Sequence, residues 1–304
     1  MADMLIDLAM SPLATVKTLM MLGYEPREEY MSKSLFKGTG WRRAGAVTFG
    51  RELYRQHGIL SLAGSWPISF FEAKSKQYVT QRVQAYLRGA VQRAFPSVEE
   101  DTVLGRLTFG CVEVVSNCVG SIVVHPLKVL SIHTMASIVE TDGPAKFQPI
   151  TIASNIYNTT GIEGFYRGLT AQLIFDCVKV ISVRACEAFL SATGIIDTIK
   201  ASVLPEDGAG APEQEAQNVF LSILPGLMAT SLAAYLYHPW DVISRMMCIS
   251  GSNLRLANAP FQRDFSSFRD CYRFRDNSYL STRGLFRGAS IAARFYKTPL
   301  PILK

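Results

Sequence analysis

The chain has 304 residues, 48% hydrophobic and 18% charged, with mean hydropathy +0.15 and a formal net charge of +6. Soluble domains carry about 25% charged residues, so the composition favours a membrane protein. The positive charge is spread along the chain, with no basic run interleaved with aromatics; that suits anionic headgroups and argues against nucleic acid.

The N-terminus, Met1 to Asp7, is acidic and lacks arginine, unlike a cleaved transit peptide. Any targeting signal is therefore expected to be internal. The first apolar stretch, Leu5 to Leu22, is interrupted by Asp7 and Lys17. An amphipathic stretch follows over Trp66–Leu87, then Leu107 to Leu127 with the single charge Glu113, then a second amphipathic stretch over Leu169–Leu190. Residues 204–213, rich in Pro, Gly, Ala and acids, read as a flexible acidic loop. The strongest membrane signal is Ala216 to Trp240, which contains no Asp, Glu, Lys or Arg. About 20 such residues cross a bilayer as a helix, because hydrocarbon offers no partner to a free backbone amide.

Proline and glycine positions turn these stretches into a repeat. Pro12, Pro126 and Pro239 each sit late in an apolar stretch, the first two separated by 114 residues and the last two by 113. Behind the second and third comes a glycine–aromatic–arginine–glycine run: Gly161…Tyr166-Arg167-Gly168 and Gly284…Phe286-Arg287-Gly288. A vestige behind the first spans His57 to Gly64.

These residues resemble the mitochondrial carrier superfamily, whose repeat opens Pro-x-acidic-x-x-basic and closes Gly-x4-aromatic-basic-Gly. The resemblance implies an all-α membrane fold of three two-helix repeats around a central cavity. Repeat one covers residues 1–100 and repeat two 101–200; an acidic loop follows over 201–217, and a truncated third repeat occupies 218–304. The family's ion-pair ring is largely missing. Ala14 replaces the first acid, with Lys17 kept as base; Lys128 and Ser131 replace the second pair; Asp241 is kept in the third, with Ser244 at the basic position and Arg245 one place later. Sixteen residues follow Gly288, Pro299 and Pro301 among them. The sixth transmembrane helix is therefore expected to be lacking, with five spans and one wall open.

Within the superfamily, Ser11-Pro12…Lys17…Leu22-Gly23-Tyr24-Glu25-Pro26 and Gly164 to Asp176 resemble the mitochondrial carrier homologue group; past Pro26 the likeness of the first repeat fades. That resemblance implies a multi-pass protein of the mitochondrial outer membrane that inserts tail-anchored and other α-helical membrane proteins. It also implies lipid scrambling, contact with phospholipids and docking of BH3-type apoptotic partners.

Charges at membrane depth normally face a bundle interior or water. At 100° per residue Asp176, Lys179, Arg184 and Glu187 share one face about 140° wide. Glu113 and Asn117 share a face of the third stretch, Glu72 and Lys76 lie one turn apart in the second, and Lys17 closes the first. These nine residues are the candidate lining of a polar groove for clients or lipid, with Lys17 and Asp176 foremost. Lys128 and Arg245 read as interhelical or headgroup-level charges with no client role. Pro12, Pro126, Pro239 and the glycine–arginine turns read as structural.

The six cysteines show no CxxC spacing, and the four histidines form no HExxH pattern. No P-loop, dinucleotide fingerprint or nucleophile elbow is present, so neither an enzyme nor a cofactor or metal site is expected. Two other readings stand beside the insertase. A docking receptor or scaffold would tolerate groove changes, and an inner-membrane solute carrier would need a working gate and a sixth span.

Overall fold

The computed structural model describes residues 2–24, 30–34, 38–42, 46–96, 102–140, 148–194, 211–258, 261–262, 264–265 and 267–276. Phe286, Arg287, Gly288 and the stretch expected to lack a sixth helix lie outside the described residues. Five long helices form the frame: α1 (Ala2–Met21), α3 (Trp66–Ala94), α4 (Val103–Ala136), α6 (Leu169–Ala192) and α7 (Ala211–Ile249). Shorter helices α2 (Ala46–Ala63), α5 (Pro149–Thr160) and α8 (Phe268–Asp276) lie between or after them. α1 and α4 are long and apolar enough to cross a membrane, by length and composition.

Two details depart from the sequence reading. Residues 30–34 and 38–42 pair as antiparallel strands, β1 (Tyr30–Ser34) with β2 (Gly38–Arg42), in register from Tyr30↔Arg42 to Ser34↔Gly38. The pair sits where the likeness to the carrier repeat fades, and its polar strands lack the apolar alternation that announces a sheet. The acidic segment set at 201–217 is helical from Ala211 onward; Pro212 is no obstacle there, since the first helical turn needs no amide donor at that position.

The amphipathic stretches over Trp66–Leu87 and Leu169–Leu190 are the continuous helices α3 and α6. α3 lies along α4, α4 against α6, and α6 along α7; α1 packs mainly on α2 and meets α3, α4 and α7 over shorter lengths. The α3–α4 seam is tight because Gly120 faces α3. A Cβ there would collide with Thr80 Oγ1 and stand 3.5 Å from the Lys76 carbonyl oxygen, the close approach that small residues permit between apolar helices.

The three prolines are internal to α1, α4 and α7, and each helix runs on for about two and a half further turns. Those three tips converge. Leu19, Met21 and Leu22 meet Val129, Ile132 and Ala136, and both meet Val242, Ile243, Met246 and Ile249; Phe49 and Leu53 of α2, Ile156 of α5 and Cys271 of α8 complete the cluster. One end of the bundle is therefore stoppered by an apolar core. Toward the other end of α1 residues 4–10 are all exposed, Met4, Leu5, Ile6, Leu8 and Met10 among them.

Glycines at positive φ make the corners. Gly58 (φ 75°, ψ 165°) breaks α2, and Gly161 (φ 69°, ψ −155°) ends α5. Both occupy a region essentially reserved for glycine, and each leads through a short turn into a long helix. The His57–Gly64 vestige thus keeps the backbone geometry of the second repeat's turn.

Candidate functional site

Above the apolar plug lies a cavity of about 440 Å³ walled by all five long helices. Each contributes a stripe at helical spacing: Ala14, Lys17 and Thr18 from α1; Ser69, Glu72 and Lys76 from α3; Ser121, His125, Lys128 and Ser131 from α4; Gln172, Phe175 and Lys179 from α6; Tyr237, Asp241 and Arg245 from α7. The positions two residues after the three prolines, Ala14, Lys128 and Asp241, all line it. The carrier-like motif therefore places its residues inward even where the residue types have changed.

Asp176, 3% exposed, is the most heavily bonded group behind the cavity lining. It accepts from Lys76 Nζ at 2.9 Å, from Gln172 Nε2 at 3.1 Å on each oxygen, and from the Ser121 hydroxyl. Gln172, buried beside it, extends the network in two directions. Its Oε1 accepts from the Lys128 ammonium and from Ser244 Oγ at 2.7 Å, so α3, α4, α6 and α7 are tied through one amide and one carboxylate. Lys128 also lies 5.7 Å from the Phe175 ring centre, in cation–π reach. Ser69 and Ser131 share a hydroxyl hydrogen bond of 2.8 Å across α3 and α4.

The third-repeat acid does not reach another helix. Asp241 accepts from Arg245 Nε at 2.9 Å, a pair within α7, and Arg245 Nη1 crosses to Thr18 of α1 at 2.8 Å. Lys17 and Glu72 lie in the same electrostatic neighbourhood without a salt bridge to it. Among the described residues the salt bridge at these motif positions is this intrahelical pair.

Of the nine residues singled out from sequence, Lys17, Glu72, Lys76 and Lys179 line the cavity; Asp176 does not line it but is buried behind the lining residues Lys76, Ser121 and Gln172, to which it is bonded. The other four gather elsewhere. Arg184 Nη2 contacts Glu113 at 2.6 Å and its Nη1 contacts Glu187 at 3.1 Å, while Asn117 Nδ2 donates to the Glu113 carbonyl at 2.9 Å. Eight residues separate Asp176 from Arg184, about 12 Å along a helix, so a shared face does not put them at one depth. Conversely, Lys128 and Arg245, read from sequence as charges with no client role, point into the cavity, and Gln172, Ser121 and Tyr237 were not foreseen. The threefold motif held the signal for Lys128, which occupies the inward acidic position of its repeat.

The glycine–arginine turn of the second repeat packs against the end of α7. Arg167 donates to the Ser250 carbonyl at the end of α7, and its own carbonyl bonds His125 Nε2 at 2.9 Å. Gly168 (φ 77°) brings α6 so close to α7 that a Cβ would stand 3.0 Å from the Cys248 amide nitrogen. Among the described residues no group of three His, Cys, Asp or Glu is placed to hold a metal ion.

Residues 100–190, from the start of α4 through most of α6, match the family described as mitochondrial carrier protein. Over 300 residues the chain is 23% identical to mitochondrial carrier homolog 1 of Mus musculus, covering 93% of this chain and 72% of the relative. It is 22% identical over 277 residues to mitochondrial carrier homolog 2 of Mus musculus and 21% identical over 277 residues to that of Homo sapiens; both alignments cover 86% of this chain and 82% of the relative. In the matched repeat and along most of its length, the chain is similar to the mitochondrial carrier homologues.

Proposed function

We propose that the chain is an insertase of the mitochondrial outer membrane for tail-anchored and other α-helical membrane proteins. In this reading α1, α3, α4, α6 and α7 are five spans of three degenerate repeats, and the wall between α7 and α1 is open to lipid. The carrying observation is a charged cavity walled by all five long helices beside an apolar cluster at the helix tips, while residues 4–10 of the flanking α1 are exposed. A polar chain end crossing hydrocarbon costs several kcal/mol for each unsatisfied group. A hydrated cavity open sideways lowers that barrier. The client's apolar helix can then leave into the bilayer while its short polar end passes through. The same route would serve a phospholipid headgroup.

The test is insertion of a labelled tail-anchored protein into proteoliposomes containing the purified chain, comparing wild type with Asp176→Arg and Lys17→Glu. Protein-dependent insertion that either substitution alters supports the reading. Insertion no better than empty liposomes, from a folded preparation, would discard it in favour of a docking scaffold.

A further inference from the structure

The charge inventory of the cavity points to a preference among clients, and this inference rests on the insertase reading. Two of its carboxylates are already engaged: Asp176 by Lys76, Ser121 and Gln172, and Asp241 by Arg245. Among the described residues Lys17, Lys128 and Lys179 have no carboxylate within salt-bridge distance. They come from three different helices, α1, α4 and α6, and surround the same space. The remaining carboxylate, Glu72, lies within electrostatic reach of Lys128, Lys76 and Arg245. One carboxylate cannot balance three ammonium groups, so the unfilled cavity presents excess positive potential to whatever enters it. Low-dielectric walls concentrate such a field.

We infer that the cavity sorts polypeptide clients by the charge of the end they must pass through it, admitting acidic ends ahead of neutral ones and holding back basic ones. Lys128 sets the preference at depth, where its ammonium is oriented by Gln172 and Phe175. Lys179, exposed on α6, sets it at the cavity wall nearer solvent.

Three tail-anchored probes with identical apolar helices and a short translocated end bearing two Glu, two Gln or two Lys separate the possibilities. They are presented to proteoliposomes of uncharged lipid containing the full chain. The acidic probe should insert at least about threefold faster than the basic one, because two charges at cavity distances differ in energy by more than RT. Lys179→Glu should bring the ratio near one, and Lys128→Glu should invert it. Since Lys128→Glu could disturb folding, the potential is also read chemically. Ala14→Cys places a thiol in the cavity wall, and Thr151→Cys places one on exposed α5. The ratio of anionic to cationic thiosulfonate rates, after subtraction of the native-cysteine background, should be several-fold higher at position 14.

Insertion of all three probes at equal rates, or faster entry of the basic one, overturns the inference and leaves the insertase reading in place. Insertion of none, with the anionic reagent still favoured at position 14, removes the insertase reading and the client preference with it, leaving a cationic cavity of other use.

Discussion

The Lys76–Asp176 pair ties α3 to α6 beside the cavity, and its contribution can be worked from its surroundings. Both oxygens of Asp176 face donors only: Lys76 Nζ and Gln172 Nε2 on one, the Ser121 hydroxyl and Gln172 Nε2 on the other. Asp176→Asn keeps the shape but turns one acceptor into a donor, so whichever way the amide is placed its NH2 group meets a former donor. Ser121 can rotate to accept; Gln172 Nε2 cannot. Removing one partner of a fully buried pair costs about 3–5 kcal/mol. Lys76 is 27% exposed and can turn toward cavity water, which lowers the expected cost to about 1–3 kcal/mol. For a chain of this size that corresponds to a fall in Tm of roughly 2–10 °C. Thermal unfolding in detergent, followed with a fluorogenic maleimide at the buried thiols Cys186, Cys248 and Cys271, measures it directly. In a double-mutant cycle Lys76→Met should lose most of its own effect in the Asp176→Asn background, because the charge it compensated is gone. Additivity within about 0.3 kcal/mol would refute the argument.

Two further outcomes follow from the packing. Gly168→Ala should cost about 1–3 kcal/mol, since it combines a left-handed φ with a Cβ 3.0 Å from the Cys248 nitrogen, whereas Gly194→Ala carries only the backbone penalty because nothing lies within 4 Å of its added Cβ; equal Tm shifts for the two would refute the α6–α7 contact. Cys118 on α4 and Cys177 on α6 stand with their Sγ atoms 3.8 Å apart, so diamide treatment of membranes should yield a Cys118–Cys177 linked peptide by mass spectrometry, lost in Cys118→Ser; two alkylatable thiols that never cross-link would contradict the pairing of these helices.

The helical frame was legible because its signals are local. Proline at a fixed period marks α1, α4 and α7, and glycine before an aromatic–arginine pair marks the corners where φ must be positive. Gly58 shows how far such a signal reaches, since its backbone conformation is kept although the arginine of the motif is gone. The site was legible in direction and poorly legible in depth. A helical wheel assigns Asp176 and Arg184 to one face, yet the rise between them places one behind the cavity lining and the other in a half-exposed cluster with Glu113 and Glu187. Gln172 carried no signal. An amide in an apolar helix becomes significant only when Lys128 from α4, Ser244 from α7 and Asp176 from its own helix converge on it.

The nature of the closed end bears on which activity such a cavity can support. A gate that alternates must separate and re-form at modest cost, which an exposed interhelical ion pair permits, being worth about 0–1 kcal/mol. Here, among the described residues, the salt bridge at the third acidic position, Asp241–Arg245, lies within one helix, and Arg245 reaches α1 through the Thr18 hydroxyl alone. What joins the three tips is mostly apolar: Leu19, Leu22, Ile132, Ile243, Met246 and Ile249 are all at most 2% exposed, beside the polar ties Arg245–Thr18 and His133–Cys248 carbonyl. Wetting those six side chains would cost on the order of 10 kcal/mol at about 1.5–3 kcal/mol each, far beyond what a bound solute of modest affinity could offset. On the insertase reading proposed above, the plug serves as a floor, and a client that enters the cavity leaves by the way it came or sideways into lipid.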